Sequence, residues 1–372
     1  MADTPTAIAR PEAGDRNPDS LLHPRVYVCL LNWNGWADTI TCLESLLRGD
    51  YPNFQVVVCD NASADGSPER IAGWADGDQV AHVPQAPALA ACTDPPVAKP
   101  LDYRRMSRDE AEAGYHAGED VPLVLIQTGA NLGYAGGNNV ALRYVLAQGD
   151  ADYVWILNND TVVRPDALSE LVKYGEQHGD VGLCGSVLLD YEQPERVQAL
   201  GGARFNGWLA THRALGAGRS AAEVPEPGAV ERQMSYVIGA AMFASRQWLE
   251  ETGLLCEDYF LYFEEIDWAV RGADRLRLGF AARSVVYHKN GASTGRPSDS
   301  PRADLLALRN RLLFTRKRMP WALPTVWLGL LAALVNRLRR GQADRVGPLL
   351  AVMFGRTRSA RRTRRQSQTR PV

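Results

Sequence analysis

Four short segments place polar residues directly after apolar runs: Asn32-Trp33-Asn34-Gly35, Asp60-Asn61-Ala62-Ser63, Asn131-Leu132-Gly133 and Asn158-Asn159-Asp160. A carboxylate that ends an otherwise buried strand is a hard oxygen ligand, so Asp160 suits Mg2+ or Mn2+ bridging to phosphate oxygens. His288 closes the apolar run 281–287 and is a second candidate metal ligand or phosphate contact. Between Asn131 and Asn139 the glycines let backbone approach a ligand, and the helix start favours negative charge. A nucleotide diphosphate fits there, although the spacing is not the GxGxxG dinucleotide fingerprint. The densest acidic cluster is Glu264-Glu265-Ile266-Asp267. On a helix Glu264 and Asp267 share a face and Glu265 points about 100° away, so one acid can face a cleft while another pairs with Arg271. A lone Asp after a strand is commonly a helix cap, and a lone His at a strand end is commonly structural. The convergence of four such segments on the carboxyl edge of one parallel sheet is what argues for a site.

The elements that must position these residues alternate strand with helix, the pattern of a mostly parallel sheet covered by helices. Strands are expected at 26–31, 54–58, 123–126 and 153–157, and helices at 38–47, from Asn138 to about Gln148, and from Pro165 to His178, with proline in a first turn. Residues 84–122 lose the apolar period and are expected to be an inserted, mobile surface loop; Leu215 to Glu231, rich in Gly, Ala, Pro and Glu, reads as a flap over a site. Ser235 to Ala244 is a strand-like run broken by Gly239, followed by a helix over Glu264 to Arg271.

The chain of 372 residues is 45% apolar and 23% charged, enough for a large core. Residues 1–24 are polar and Pro-rich, unlike a signal peptide, and read as a loose arm on a protein of the cytosol. The six cysteines have no CxxC spacing, so neither a zinc site nor a disulfide framework is indicated. The net charge of -2 hides a polarity: residues 302–372 hold 17 Lys or Arg against only Asp304 and Asp344. Such a tail meets an anionic surface, and without a nucleic-acid-binding motif nucleic acid is not the expected partner. Within it, Trp321 to Val335 is almost wholly apolar and flanked by basic residues. Its 15 residues fall short of the roughly 20 that cross a bilayer, which fits a helix lying in the membrane interface with Trp321 and Trp327 near headgroup level.

In order and spacing, Leu31-Asn-Trp-Asn-Gly35, Val58 to Ser67, Asn131 to Asn139, Trp155 to Thr161, Phe260 to Trp268 and Val286-Tyr-His288 together resemble the family 2 glycosyltransferases. Among them they resemble the bacterial rhamnosyltransferase-like members that build surface polysaccharides, over residues 25–315. The resemblance implies a GT-A α/β fold: a flexible arm at 1–24, a catalytic domain at 25–300 and a helical, basic C-terminal region at 301–372. Asn32 and Asp60 would contact base and ribose, with Asn131, Gly133, Gly137, Asn138 and Asn159 completing the nucleotide site. Asp160 looks like the last acid of an Asp-X-Asp metal motif, with Asn158 in place of its first Asp, and His288 like the additional metal ligand. Glu265 falls where the family places its catalytic base, with Glu264 a rival and Asp267 a second acid.

The implied reaction is transfer of a sugar such as rhamnose from a UDP-, dTDP- or GDP-linked donor, with inversion, to a lipid-linked or polysaccharide acceptor. The enzyme would sit peripherally on the cytoplasmic face of the cell membrane. A sugar nucleotidyltransferase would carry a Gly-rich, Lys/Arg-bearing loop after the first strand, where Asn32 to Gly35 stands here. A non-catalytic membrane-associated binding module would have no reason to keep Asp60, Asp160, Glu265 and His288 together.

Overall fold

The computed structural model describes residues 23–114, 120–289 and 301–354. They separate into two compact units. The larger holds the described residues up to Phe205 and from His212 to Lys289; the smaller holds Asn206–Thr211 and the helices beyond 300. The expected N-terminal arm lies almost wholly outside the described residues, as does the end of the basic tail.

The larger unit is an α/β domain built on strands β1 (Val26–Asn32), β2 (Phe54–Asp60), β3 (Tyr103–Ser107), β4 (Leu123–Gln127), β5 (Tyr153–Asn158), β6 (Thr161–Val163) and β7 (Val181–Asp190). They continue as β8 (Val197–Leu200), β9 (Gly202–Asn206), β10 (Thr211–Ala214), β11 (Tyr236–Val237), β12 (Ala241–Ser245) and β13 (Arg277–His288). Ten of them form one sheet in the order β3-β4-β2-β1-β5-β12-β7-β13-β6 with β8 added to β7, and β10-β9-β11 form a small second sheet. From β3 to β5 every pairing is parallel. These strands read as continuous apolar runs because both faces are covered. Val26, Val28 and Leu30 of β1 enter one core with Ile40, Leu43 and Trp74, whereas Tyr27 and Cys29 enter the other with Val140, Val145 and Trp268. That is the two-residue alternation of a strand between two helical layers.

The covering helices are α1 (Trp36–Leu46), α2 (Ser67–Asp76), α3 (Pro87–Thr93), α4 (Arg108–Glu112), α5 (Gly133–Gln148), α6 (Ala167–Gln177), α7 (Pro227–Glu231), α8 (Arg246–Thr252) and α9 (Glu264–Gly272). Helix α5 starts at Gly133, not near Asn138, because its first turn is built from the small residues that sequence periodicity passes over. The expected loop at 84–122 is corrected over its described part: α3, edge strand β3 on β4, and α4 with a Ser107/Glu110 capping box lie within it. Buried Glu44 anchors it, accepting from Val97 N at 2.7 Å and Trp74 Nε1 at 2.7 Å. The expected flap at 215–231 is likewise tied down. Val197 N donates to Arg219 O, Ala221 N to Glu195 O, and Glu231 receives Phe280 N and Arg277.

In the smaller unit, α10 (Pro301–Arg318) is followed by a 3-10 turn at Pro320–Ala322 that runs into α11 (Leu323–Arg339), then α12 (Val346–Met353). The helical run Pro320–Arg339 has 20 residues, long and apolar enough by length and composition to cross a membrane. It extends the 15-residue run Trp321–Val335 by Pro320 at one end and by Asn336, Arg337, Leu338 and Arg339 at the other.

Candidate functional site

Parallel pairing sets the site. The register aligns Asn32 with Asp60, Leu31 with Asn158, and Asp60 with Gln127, so β1, β2, β4 and β5 deliver their polar ends to one edge. Strand β13 runs antiparallel to β6 and aligns His288 with Thr161, which brings the histidine beside Asp160.

At the β1–β2 end, both oxygens of buried Asp60 are engaged: Asn32 Nδ2 donates to Oδ2 at 2.7 Å and Ser63 N to Oδ1 at 3.0 Å. Asn32 Oδ1 accepts from Thr39 Oγ1 at 2.9 Å. Asn159, expected at the nucleotide, donates its amide to Thr39 Oγ1 at 2.9 Å and so braces the β1 loop. Asn61, named in the sequence only as part of the Asp60 to Ser63 segment, ties this loop to the glycine-rich turn, accepting from Leu132 N at 2.9 Å and donating to Asn131 Oδ1 at 3.2 Å.

Within that turn Asn131 is exposed at the edge, available to a ligand. Gly133 has φ +75, and a Cβ on it would stand 2.3 Å from Phe260 O; at Gly137 a Cβ would stand 2.4 Å from Leu31 Cδ1. Asn138 is buried and donates to Tyr134 O at 3.0 Å. Gly137 and Asn138 thus serve internal packing, and the glycines are demanded by the protein's own close approach.

The candidate metal pair is Asp160 and His288, both buried, with Asp160 Oδ1 3.3 Å from His288 Nε2. Gln198 fixes the imidazole: its Nε2 donates to His288 O at 2.6 Å, so its Oε1 faces His288 Nδ1 at 2.9 Å. Nδ1 therefore donates to Gln198, and Nε2 is the nitrogen that faces the carboxylate, the orientation a metal ligand needs. Asn158 Nδ2 lies 3.4 Å from the same nitrogen. With one carboxylate and one imidazole, the pair fits a divalent ion whose remaining positions go to phosphate oxygens and water.

The acidic cluster sits at the start of α9, where backbone conformation is unusual. Phe260, Tyr262 and Phe263 have φ of 65°, 71° and 78°, and Asn34 and Ala62 in the first two loops are also left-handed. Five of the six such non-glycine residues among the described residues thus border this edge, and strain of this kind concentrates at functional sites. No periodicity rule signals it in the sequence. Glu264 and Glu265 each keep a buried Oε2 without a hydrogen-bond partner. Burial pushes the Glu265 carboxyl up to about 7. Burial, together with the charge of Glu265, raises Glu264 well beyond the ordinary range. Asp267 is a correction to the expected second acid. It is fully buried, receiving Tyr259 OH at 3.0 Å and Arg271 Nε at 2.9 Å, and it locks α9 in place. Tyr134, also missed, links the two halves: its buried phenol is raised by desolvation and then by the charges of Glu264, Glu265 and Asp160.

The model of the Glycosyl transferase family 2 matches residues 27–86 and 107–211. The gap between the two matched stretches is the segment carrying α3 and β3. A low-salt glycan biosynthesis hexosyltransferase of Haloferax volcanii is 28% identical over 196 residues, 50% of this chain and 58% of that relative. The N-acetylglucosaminyl-diphospho-decaprenol L-rhamnosyltransferase of Mycobacterium tuberculosis is 26% identical over 231 residues, 55% of this chain and 70% of the relative. Among solved structures, GalNAc-T7 with UDP, GalNAc and Mn2+ has a TM-score of 0.50 at 12% identity, covering 79% of this chain and 48% of that one. The architecture is the GT-A fold, as expected.

Proposed function

We propose that this chain, whose residues 27–86 and 107–211 match the model of the Glycosyl transferase family 2, is a glycosyltransferase that moves a hexose-type sugar from a nucleoside diphosphate donor to an acceptor hydroxyl with inversion. The observation that carries the reading is the division of labour along one sheet edge: a cation-ready pair, Asp160 and His288, and a buried carboxyl, Glu265, raised to about 7.

The nucleoside lies against Asn32, Asp60 and Asn131. Asp160 and His288 would hold Mg2+ or Mn2+, which when bound neutralises the charge that builds on the departing diphosphate. The solved relative with UDP and Mn2+ supports this class of ligand. Glu265, ionised above its shifted range, accepts the proton of the acceptor hydroxyl while that oxygen bonds to the anomeric carbon and the bond to the diphosphate oxygen breaks. Direct displacement from the opposite face inverts the anomeric centre. Glu264, its carboxyl raised by burial and by the charge of Glu265, stands next to the base in the chain; Asp267, through Arg271, fixes the helix that carries both.

The acceptor is a polyprenyl-diphosphate-linked saccharide or a growing polysaccharide, and rhamnose is the first sugar to try. Both choices rest on the kinship with the mycobacterial decaprenol-linked rhamnosyltransferase. Such an acceptor puts the enzyme on the cytoplasmic face of a membrane, held through the basic C-terminal region. The test is to incubate the full chain with a panel of UDP-, dTDP- and GDP-sugars and a lipid-linked saccharide extract. Mass spectrometry would read the added sugar and NMR its anomeric configuration. Transfer with inverted configuration is expected; a retained configuration, or no transfer from any donor, contradicts the reading.

A further inference from the structure

Helix α11 is apolar on two opposite sides, and only one of them is used inside its unit. Val326 and Leu330 are fully buried, and Arg337 on the same side reaches Asp304 of α10 through two bonds of 2.7 and 2.5 Å. On the other side Leu328, Leu331, Val335 and Leu338 are exposed by 44–65%. At 100° per residue these four fall within about 80° of arc, a continuous stripe along the helix. Soluble surfaces rarely keep such a stripe without a partner.

A segment more than a hundred residues upstream belongs to the same unit. Trp208 and Leu209, at the tip of the β9–β10 hairpin, are exposed by 62% and 41%. The tip is held there by backbone capture: Arg311 Nε donates to Leu209 O at 2.8 Å, Thr325 Oγ1 donates to Trp208 O, and the rings of Trp208 and Trp321 stand 4.6 Å apart edge to face. Trp321 is itself 53% exposed. By contrast Trp327, expected at headgroup level, is half-buried against Phe354. In the same unit the exposed residues include Arg316, Lys317, Arg318, Arg339 and Arg340.

We propose that Trp208, Leu209, Trp321 and the Leu328–Leu338 stripe form one docking face for an anionic lipid surface, on which α11 lies in the plane of the interface and does not cross it. This deepens the membrane reading of the proposed function and rests on it. Charge complementarity chooses the occupant: aromatic edges with aliphatic residues between clustered arginines match acyl chains below an anionic headgroup layer. The buried opposite side of α11, committed to α10 and Asp304, argues against a span, because crossing would strip Val326, Leu330 and Arg337 from their partners.

The test uses the full chain in sedimentation with vesicles of phosphatidylcholine alone and with anionic phosphatidylglycerol added. Two variants, Trp208→Ser and the pair Leu331→Glu with Leu338→Glu, leave the catalytic edge untouched. Binding to anionic vesicles, release by alkaline carbonate, and loss of at least about tenfold in affinity in both variants are expected. Unchanged binding in the variants overturns the docking face, as does resistance to carbonate. Absence of vesicle binding, with a concentration-dependent dimer that the Leu pair abolishes, overturns it in favour of a second copy as occupant. Nucleotide stabilisation, measured on every sample, checks folding and separates this outcome from failure of the transferase reading itself.

Discussion

Gln198 grips His288 at two points, donating to its carbonyl at 2.6 Å and accepting from its Nδ1 at 2.9 Å, so that strand β8 sets which imidazole nitrogen faces Asp160. Replacing Gln198 by Leu frees the ring to turn and removes the tautomer lock without touching a ligand. Titration of Mn2+ into the protein with nucleoside diphosphate, followed by electron paramagnetic resonance, should show affinity falling by about 10–100-fold.

Much of this arrangement was legible in the residues. The apolar runs ending in Asn32, Asp60 and Asp160 located the sheet edge because a buried parallel strand leaves few other readings for an Asp at its end. What stayed hidden depends on contacts between distant segments. Gln198 has no signal of its own, and its role exists only because β8 pairs with β7 beside β13. The bracing by Asp267 and Asn159 was hidden for a similar reason: charge and position marked them as candidates, and only their partners, Arg271 with Tyr259 and Thr39 with Asn32, show what they hold. The 84–122 segment hid an edge strand because Tyr103–Ser107, half exposed and carrying two arginines, has no apolar run to read.

The Glu265 carboxyl makes turnover depend on pH in a definite direction. As a base it works when ionised, so the rate should rise through about pH 7 and level off above it. Glu265→Gln should lower kcat by about 10²–10⁴-fold and flatten that limb. The stability sign is opposite. A carboxyl whose folded value is raised binds more protons folded than unfolded, so stability falls as pH climbs from the ordinary carboxylate range to about 7. Thermal melts at pH 5 and pH 8 should differ less in Glu265→Gln than in the parent, with the variant the more stable at pH 8.

Asp267→Asn separates bracing from catalysis. Breaking its buried pair with Arg271 should cost about 3 kcal/mol in urea unfolding. In conditions where the variant is folded, the pH profile should keep its rise near 7, which a loss of the base would erase.

Gly133→Ala tests the close approach of the two loops. With φ +75 and a Cβ that would meet Phe260 O at 2.3 Å, the substitution must displace the left-handed segment ahead of Glu264. Stability should drop by more than about 1 kcal/mol, and kcat should fall even where nucleotide affinity, measured by calorimetry, is held. Gly149→Ala, where φ is +79 but nothing lies within 4 Å, should carry the strain alone and leave kcat intact.

The central claim is that Asp160 and His288 bind a nucleoside diphosphate through a divalent ion, and thermal melting of the full chain tests it most directly. UDP, dTDP and GDP would each be added with and without Mn2+, to the parent and to Asp160→Ala. One nucleotide should stabilise the parent only when Mn2+ is present, by about 2.7 kcal/mol at a hundredfold excess over its dissociation constant, and the gain should vanish in the variant. Stabilisation by none of the three, or a gain that persists without metal and in Asp160→Ala, would contradict the account.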